Sequence, residues 1–171
     1  MFTSLGENFK AKEYTDRALA IRIEICDRWG VAECYGILGN IFSSLGEYFE
    51  AKEYFRNALL ISIEIGDRDG EAKSYRNLGH LFTMLDHQIA EVCFEKALYL
   101  SSTIEVRYLE LQVLFGYSIL FLQQNKLKEA LWYLHQSIYK FEEQRNLLGI
   151  NDQLKISFLE ARGASPYKLL S

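Results

Sequence analysis

Much of this chain repeats itself at an offset of 40 residues, which limits the folds that it can adopt. Residues 4–28 read SLGENFKAKEYTDRALAIRIEICDR, and residues 44–68 read SLGEYFEAKEYFRNALLISIEIGDR, with most positions identical. Two further copies, progressively weaker, follow up to residue 146. Self-similarity at a fixed period indicates stacked copies of one structural unit, each of which needs its neighbours to bury its apolar face.

Each unit contains the spacing pattern of two helices. The first stripe comprises Tyr35, Leu38, Gly39 and Phe42, and the second comprises Ala51, Tyr54, Phe55, Ala58 and Leu59. Steps of three and four residues place these side chains on one face of a helix. The chain has a single proline, Pro166. Because helix interiors tolerate proline poorly, this composition also indicates helix throughout the repeats.

Glycine and aspartate mark the predicted helix ends and crossings. Gly46 lies just past the end of a helix, where glycine adopts the left-handed conformation at low cost. Asp27 and Asp67 precede helices, so their carboxylates can accept hydrogen bonds from the free N–H groups of the first turn. We expect Gly39 and Gly79 to lie where antiparallel helices cross, because larger side chains would separate the helices there.

These residues resemble the tetratricopeptide signature, W-x2-L-G-x2-Y followed by A-x3-F and A. The chain reads Tyr35-x2-Leu38-Gly39-x2-Phe42, and then Ala51-x3-Phe55 and Ala58. The period exceeds the usual value of about 34, so the chain resembles the longer-helix subclass that includes kinesin light chains and G-protein-signalling modulators. The resemblance implies an all-α, right-handed superhelical solenoid of antiparallel helix hairpins, with about seven helices and an irregular C-terminal tail.

The chain also resembles the repeat region of large invertebrate tetratricopeptide proteins, in which the array leads into a caspase-like CHAT domain. The resemblance rests on repeats that read SLGEYxxAKEYxxxAL and on the ending NDQLKIS followed by SPYKLLS. No segment with the CHAT catalytic histidine and cysteine occurs in this chain. The resemblance therefore implies a regulatory array and transfers no catalytic activity.

The repeat register divides the chain into a partial unit, three hairpins and a tail. The partial unit covers residues 1–26, the hairpins cover 27–66, 67–105 and 106–146, and the linker or tail covers 147–171. Phe2 is expected near the end of a preceding helix, and Ser165-Pro166-Tyr167 resembles the start of another helix. We expect the N-terminal helix, about residues 7–26, to lack its mate and expose an apolar face. That expectation suits a truncated piece, a partial gene product, or self-association there.

Composition argues against several function classes. The formal net charge of −4 disfavours non-specific binding to nucleic acid or to a membrane surface, since both favour basic proteins. No apolar run approaches the length of about 18 residues that a membrane span needs, and the N-terminus lacks the pattern of a signal peptide. Three cysteines without CxxC spacing suit a reducing compartment, so a cytoplasmic location is predicted.

No constellation of residues indicates catalysis, so we predict that the chain is not an enzyme and uses no metal and no cofactor. His87 and Glu91 are four residues apart, but no third ligand has supporting spacing, and His87 is expected in a turn. Cys93 occupies a core position, which favours an inert buried thiol. Tyr14, like most of the other repeat aromatics, is expected in the core rather than on a surface that stacks bases.

The predicted binding surface is the concave face, which the first helix of each unit lines in tetratricopeptide proteins. The register places these residues in its groove: Glu33, Gly36, Asn40, Ser43, Lys73, Arg76, Asn77, His80, Thr83, Gln112, Phe115, Ile119 and Leu122. Basic positions grade into apolar ones, which suits an extended or helical peptide with acidic and apolar side chains. An equal alternative is that these residues are ordinary solvated positions with no ligand. The chain's own tail is another candidate occupant of the groove.

A chaperone-type carboxylate clamp is not expected in this groove. Asn40 and Asn77 match two of its five positions, but Gly36, Gln112 and Gly116 stand where the clamp has cations. Two amides without those charges would hold a terminal carboxylate weakly. The sequence therefore predicts a non-catalytic protein–protein interaction scaffold, and the alternative is a regulatory segment of a larger protease-like enzyme.

Overall fold

Seven α-helices make up the part of the chain that this computed structural model describes, residues 2–147, with side chains from 6 to 146. The helices are α1 (Phe2–Glu24), α2 (Arg28–Leu45), α3 (Tyr48–Ile65), α4 (Arg68–Thr83), α5 (His87–Thr103), α6 (Arg107–Gln123) and α7 (Leu127–Leu147). No strand occurs within the described range. The prediction of an all-α fold with about seven helices is confirmed.

The helices pack as successive antiparallel hairpins. The closest packing is within the pairs α2–α3, α4–α5 and α6–α7, and each pair then packs on the next through α3 with α4 and α5 with α6. This arrangement is a helical repeat solenoid, in which each unit contacts only its neighbours. The predicted irregular tail and the helix start at Ser165-Pro166-Tyr167 lie outside the described residues.

The helix ends follow the chemistry that the sequence indicates. Asp27 Oδ1 accepts a hydrogen bond from the N–H of Gly30 at 2.9 Å, and Asp67 Oδ1 accepts one from Gly70 at 3.0 Å. Gly46 has a φ of 81°, in the left-handed region that favours glycine. Both caps and the glycine turn are confirmed.

The core lies between the two helices of each hairpin and between adjacent hairpins. Phe55 is fully buried against α2, and a Cβ added to Gly39 would lie 2.5 Å from its Cδ1 atom. Gly79 meets Phe94 in the same way one unit later, at 2.6 Å. The predicted close crossings at these two glycines are confirmed.

The first helix departs from its prediction in two respects. Phe2 was expected near the end of a preceding helix, but it is the first residue of α1, which continues without a break through Gly6. Residues 2–5 are too few to form a separate stable helix. Tyr14 was expected in the core but is 67% exposed, because α1 packs on α2 and no other described helix makes a comparable contact with it. Phe9 and Ile21 are exposed too, so the open apolar face is observed, whereas self-association through it stays a prediction.

Candidate functional site

One side of the array brings the first helices of the units together. Besides its neighbours in sequence, α4 packs directly against α2 and α6, whereas α3, α5 and α7 have no comparable contacts with one another. Helices lie closer together on the inner side of a curved array than on its outer side. We therefore call the surface formed by α2, α4 and α6 the inner face.

Arg76 lies at the centre of a hydrogen-bond network on the inner face. Its Nη1 atom donates to Oε1 of Gln112 on α6, and its Nε and Nη2 atoms donate to Oδ1 of Asn77 at 3.2 and 2.8 Å. Nε2 of Gln112 in turn donates to the Tyr108 hydroxyl at 2.8 Å. The network joins two successive units and holds the half-buried guanidinium between α4 and α6.

The hydrogen-bond partners of Arg76 are neutral amides. Among the ion pairs of the described side chains, none includes Arg76. Burial lowers the pKa of Arg76, because desolvation disfavours the cation, although the nearby Tyr108 and Asp69 act in the opposite direction. An arginine in this state keeps its charge and suits a carboxylate, which accepts two parallel N–H bonds from a guanidinium.

The other predicted polar residues of the groove differ from Arg76. Lys73 is exposed but pairs with Asp69 one turn earlier on α4, so much of its charge is neutralised. Asn40 is exposed on α2. The structure thus brings Arg76, Asn77 and Gln112 together, and leaves Asn40 on a neighbouring helix.

His80 is a neutral packing residue. Its ring meets Phe94 edge-on, with centroids 5.2 Å apart, and a Cβ added to Gly116 would lie 3.0 Å from its Cε1 atom. Burial, with a smaller contribution from the charge of Arg76, lowers the pKa of His80 to about 4. His80 is therefore uncharged at neutral pH and fills the space over Gly116.

The apolar end of the inner face lies along α6. Phe115 and Ile119 are half-buried, and Leu122 is 49% exposed. Thr83 was wrongly placed in the groove: it is buried, and its hydroxyl donates to the carbonyl of Gly79 at 2.8 Å. Sequence reasoning missed the next residue, Met84, which is 60% exposed and lies 3.5 Å (Sδ) from Nε2 of Gln123.

The remaining candidate residues have structural positions. His87 is the first residue of α5 rather than part of a turn, because Asp86 caps the helix immediately before it. Cys34 and Cys93 are buried, and burial raises the pKa of Cys93 to about 11, so its thiol stays protonated. Between residues 6 and 146, no three His, Cys, Asp or Glu side chains gather as metal ligands. None of the described helices is long and apolar enough to span a membrane.

Comparison with known proteins agrees with this architecture. Residues 30–101 match a family model described as tetratricopeptide repeat. The fold is similar to the crystal structure of BtubC (BKLC) from P. vanneervenii, with a TM-score of 0.69 and 21% sequence identity over 82% of this chain. The match spans only 59% of the BtubC chain, and at this identity it shows the fold alone. The curated protein sequences contain no match to this chain.

These findings do not bear on the longer-helix subclass or on the resemblance to CHAT proteins, which stay predictions. The family match covers the hairpin α2–α3 and most of α4–α5, and α1 packs onto the first of these hairpins and α6 onto the second. Residues 30–101 are therefore tetratricopeptide repeats, within a helical solenoid that continues on both sides of them.

Proposed function

We propose that the chain is a non-catalytic scaffold that binds a partner peptide or domain on its inner face. Tetratricopeptide repeats generally mediate protein–protein interactions, and the family is typically non-catalytic. The observation that carries the proposal is the half-buried Arg76, which is held by amides and has no ion-pair partner among the described residues. Free thiols at Cys26, Cys34 and Cys93 support a cytoplasmic location as part of the same proposal.

The donor inventory of Arg76 supports a carboxylate ligand. A guanidinium has five N–H donors, and three of them serve Asn77 and Gln112. The two terminal nitrogens each keep one N–H, which suits the two oxygens of a carboxylate. Since the guanidinium is already desolvated and held in place, binding costs less side-chain entropy than it would at a free surface arginine.

Apolar side chains beside the charge support a ligand of mixed character. Phe115 and Ile119 are only partly covered within the described structure, and Met84 is largely exposed. Exposed apolar groups beside a fixed charge are typical of a surface that binds a partner. The ligand class is therefore a peptide segment with acidic and apolar side chains.

The test uses random peptides displayed on phage, selected against the immobilised full chain. Wild type should enrich acidic peptides, and Arg76→Gln should lose that enrichment. Arg56→Gln is the matched control, since Arg56 is an exposed arginine on α3, which is not part of the inner face. Equal enrichment of acidic peptides by wild type and Arg76→Gln would contradict the proposal, provided that circular dichroism shows unchanged helicity.

A further inference from the structure

We propose that the ligand of the inner face is an extended peptide whose acidic residue and large apolar residue are two or three positions apart. The proposal rests on the proposed function, because it concerns the same face. It adds a spacing rule, which follows from the position of the guanidinium and from the arrangement of α6.

The position of the positive charge is fixed from two helices. Hydrogen bonds to Asn77 on α4 and to Gln112 on α6 hold the guanidinium of Arg76 at the level of Gln112. The acidic side chain of a ligand is therefore expected at that level.

The apolar positions lie on one side of this level. Phe115 and Ile119 follow Gln112 by three and seven residues on α6. With a helical rise of 1.5 Å per residue, they lie about 4.5 and 10.5 Å farther along the helix axis. On the opposite side, Gln112 donates a hydrogen bond to the polar hydroxyl of Tyr108, one turn earlier on α6. The inner face thus presents a charge and then an apolar surface, in that order along α6.

The ligand spacing follows from these distances. An extended chain advances about 3.3 Å per residue, so two or three residues span about 7 to 10 Å. That interval falls between the levels of Phe115 and Ile119. An adjacent apolar residue would fall short of both side chains, and one five or six positions away would pass beyond Ile119. His80 packs beneath this stretch of α6 and is neutral, so it places no charge next to an apolar ligand side chain.

The experiment measures binding of fluorescent peptides to the full chain by anisotropy. Each peptide carries one glutamate and one leucine in an otherwise fixed polar background, separated by one to six positions and in both orders. Peptides with a separation of two or three should bind about tenfold more tightly than those with five or six, as the burial of a leucine side chain predicts. Ile119→Ser should weaken this preference, and circular dichroism checks that the variant keeps its helicity.

The outcomes separate the spacing rule from the proposed function. Binding that requires Arg76 but is equal at all separations would overturn the spacing rule and leave the proposed function intact. Absence of binding by every peptide would overturn both. Asp152 and Glu160 lie two positions from Leu154 and Phe158 in the sequence. If only the variant with Asp152→Asn and Glu160→Gln binds peptides, the chain's own residues are the occupant, which would overturn the proposal of an external peptide.

Discussion

Arg76 of α4 donates a hydrogen bond to Gln112 of α6, and this contact joins the first helices of two successive units. The side chain of Gln112 is a neutral amide and not a carboxylate, so the contact holds the Arg76 cation in place without neutralising it. A carboxylate at position 112 would do both. The Arg76–Gln112 contact therefore allows a direct test of whether the free charge of Arg76 matters for binding.

We predict that Gln112→Glu abolishes binding of acidic peptides while it preserves or raises stability. The new carboxylate would accept the same hydrogen bond and form an ion pair with Arg76, and hydrogen bonds to charged groups contribute about 1.5 to 3 kcal/mol. Peptide titration and urea denaturation measure the two effects. Acidic peptides that bind Gln112→Glu as tightly as wild type would show that the charge of Arg76 is not what they recognise.

Gly39 and Gly36 of α2 should respond in opposite ways to the same substitution. A Cβ at Gly39 would lie 2.5 Å from Cδ1 of Phe55, whereas a Cβ at Gly36 meets nothing within 4 Å. We predict that Gly39→Ala destabilises the fold by about 1 to 3 kcal/mol through overpacking. Gly36→Ala should stabilise it by up to about 1 kcal/mol, because alanine favours helix. Urea denaturation of the two variants side by side gives the comparison, and equal effects would contradict the close crossing.

The residues whose roles follow from one unit of the repeat were predictable from sequence. Asp27 and Asp67 cap helices, and Gly39 and Gly79 allow crossings, because these roles depend on register within a hairpin. The prediction that Tyr14 lies in the core was wrong for a related reason. Its register matches Tyr54, but α1 lacks the additional helix contact that partly covers Tyr54.

Contacts between units were not predictable in the same way. The Arg76–Gln112 contact depends on the stagger of α4 against α6, which repeat alignment does not give. In the sequence, Gly116 stood out only because a carboxylate clamp has a cation at that position. In the structure, Phe94 and His80 pack where a side chain at position 116 would be. The equivalent positions in earlier units, Ile37 and Asn77, are not glycine, so the repeat gives no signal for this role.

The ion pair between Glu110 of α6 and Lys140 of α7 predicts a pH-dependent contribution to stability. Burial alone would raise the pKa of Glu110, but hydrogen bonds from Lys140 and Ser102 and the charge of Lys140 lower it on balance. Because the folded-state pKa is below its ordinary value of 4.5, the contribution is present above that pH and is lost as the pH falls through the folded-state value.

We therefore predict that acidification lowers the free energy of unfolding more in wild type than in Glu110→Gln. Lys140→Met should destabilise the fold at neutral pH by about 1 to 3 kcal/mol, because it leaves a buried carboxylate without its cation. It should also reduce the loss on acidification, since the pKa of Glu110 then rises. Urea denaturation at several pH values gives the free energy of unfolding of wild type and of both variants. If the three curves of this free energy against pH are parallel, the Glu110–Lys140 pair has no role in the pH dependence.

The turns between units give a last, reciprocal prediction. Cys26 and Gly66 occupy equivalent positions after α1 and α3, and both have left-handed backbones, with φ values of 57° and 72°. A side chain in this conformation costs about 1 to 2 kcal/mol relative to glycine. Glycine also loses more conformational entropy on folding, which offsets part of the gain.

We predict that Cys26→Gly stabilises the fold by up to about 1 kcal/mol and that Gly66→Ala destabilises it by a similar amount. Cys26 is exposed, so its substitution removes no core contact that would confuse the result. The midpoint of urea denaturation under reducing conditions measures both variants. If Gly66→Ala is neutral, the turn after α3 tolerates a side chain as the turn after α1 does, and the left-handed conformation is not what favours glycine there.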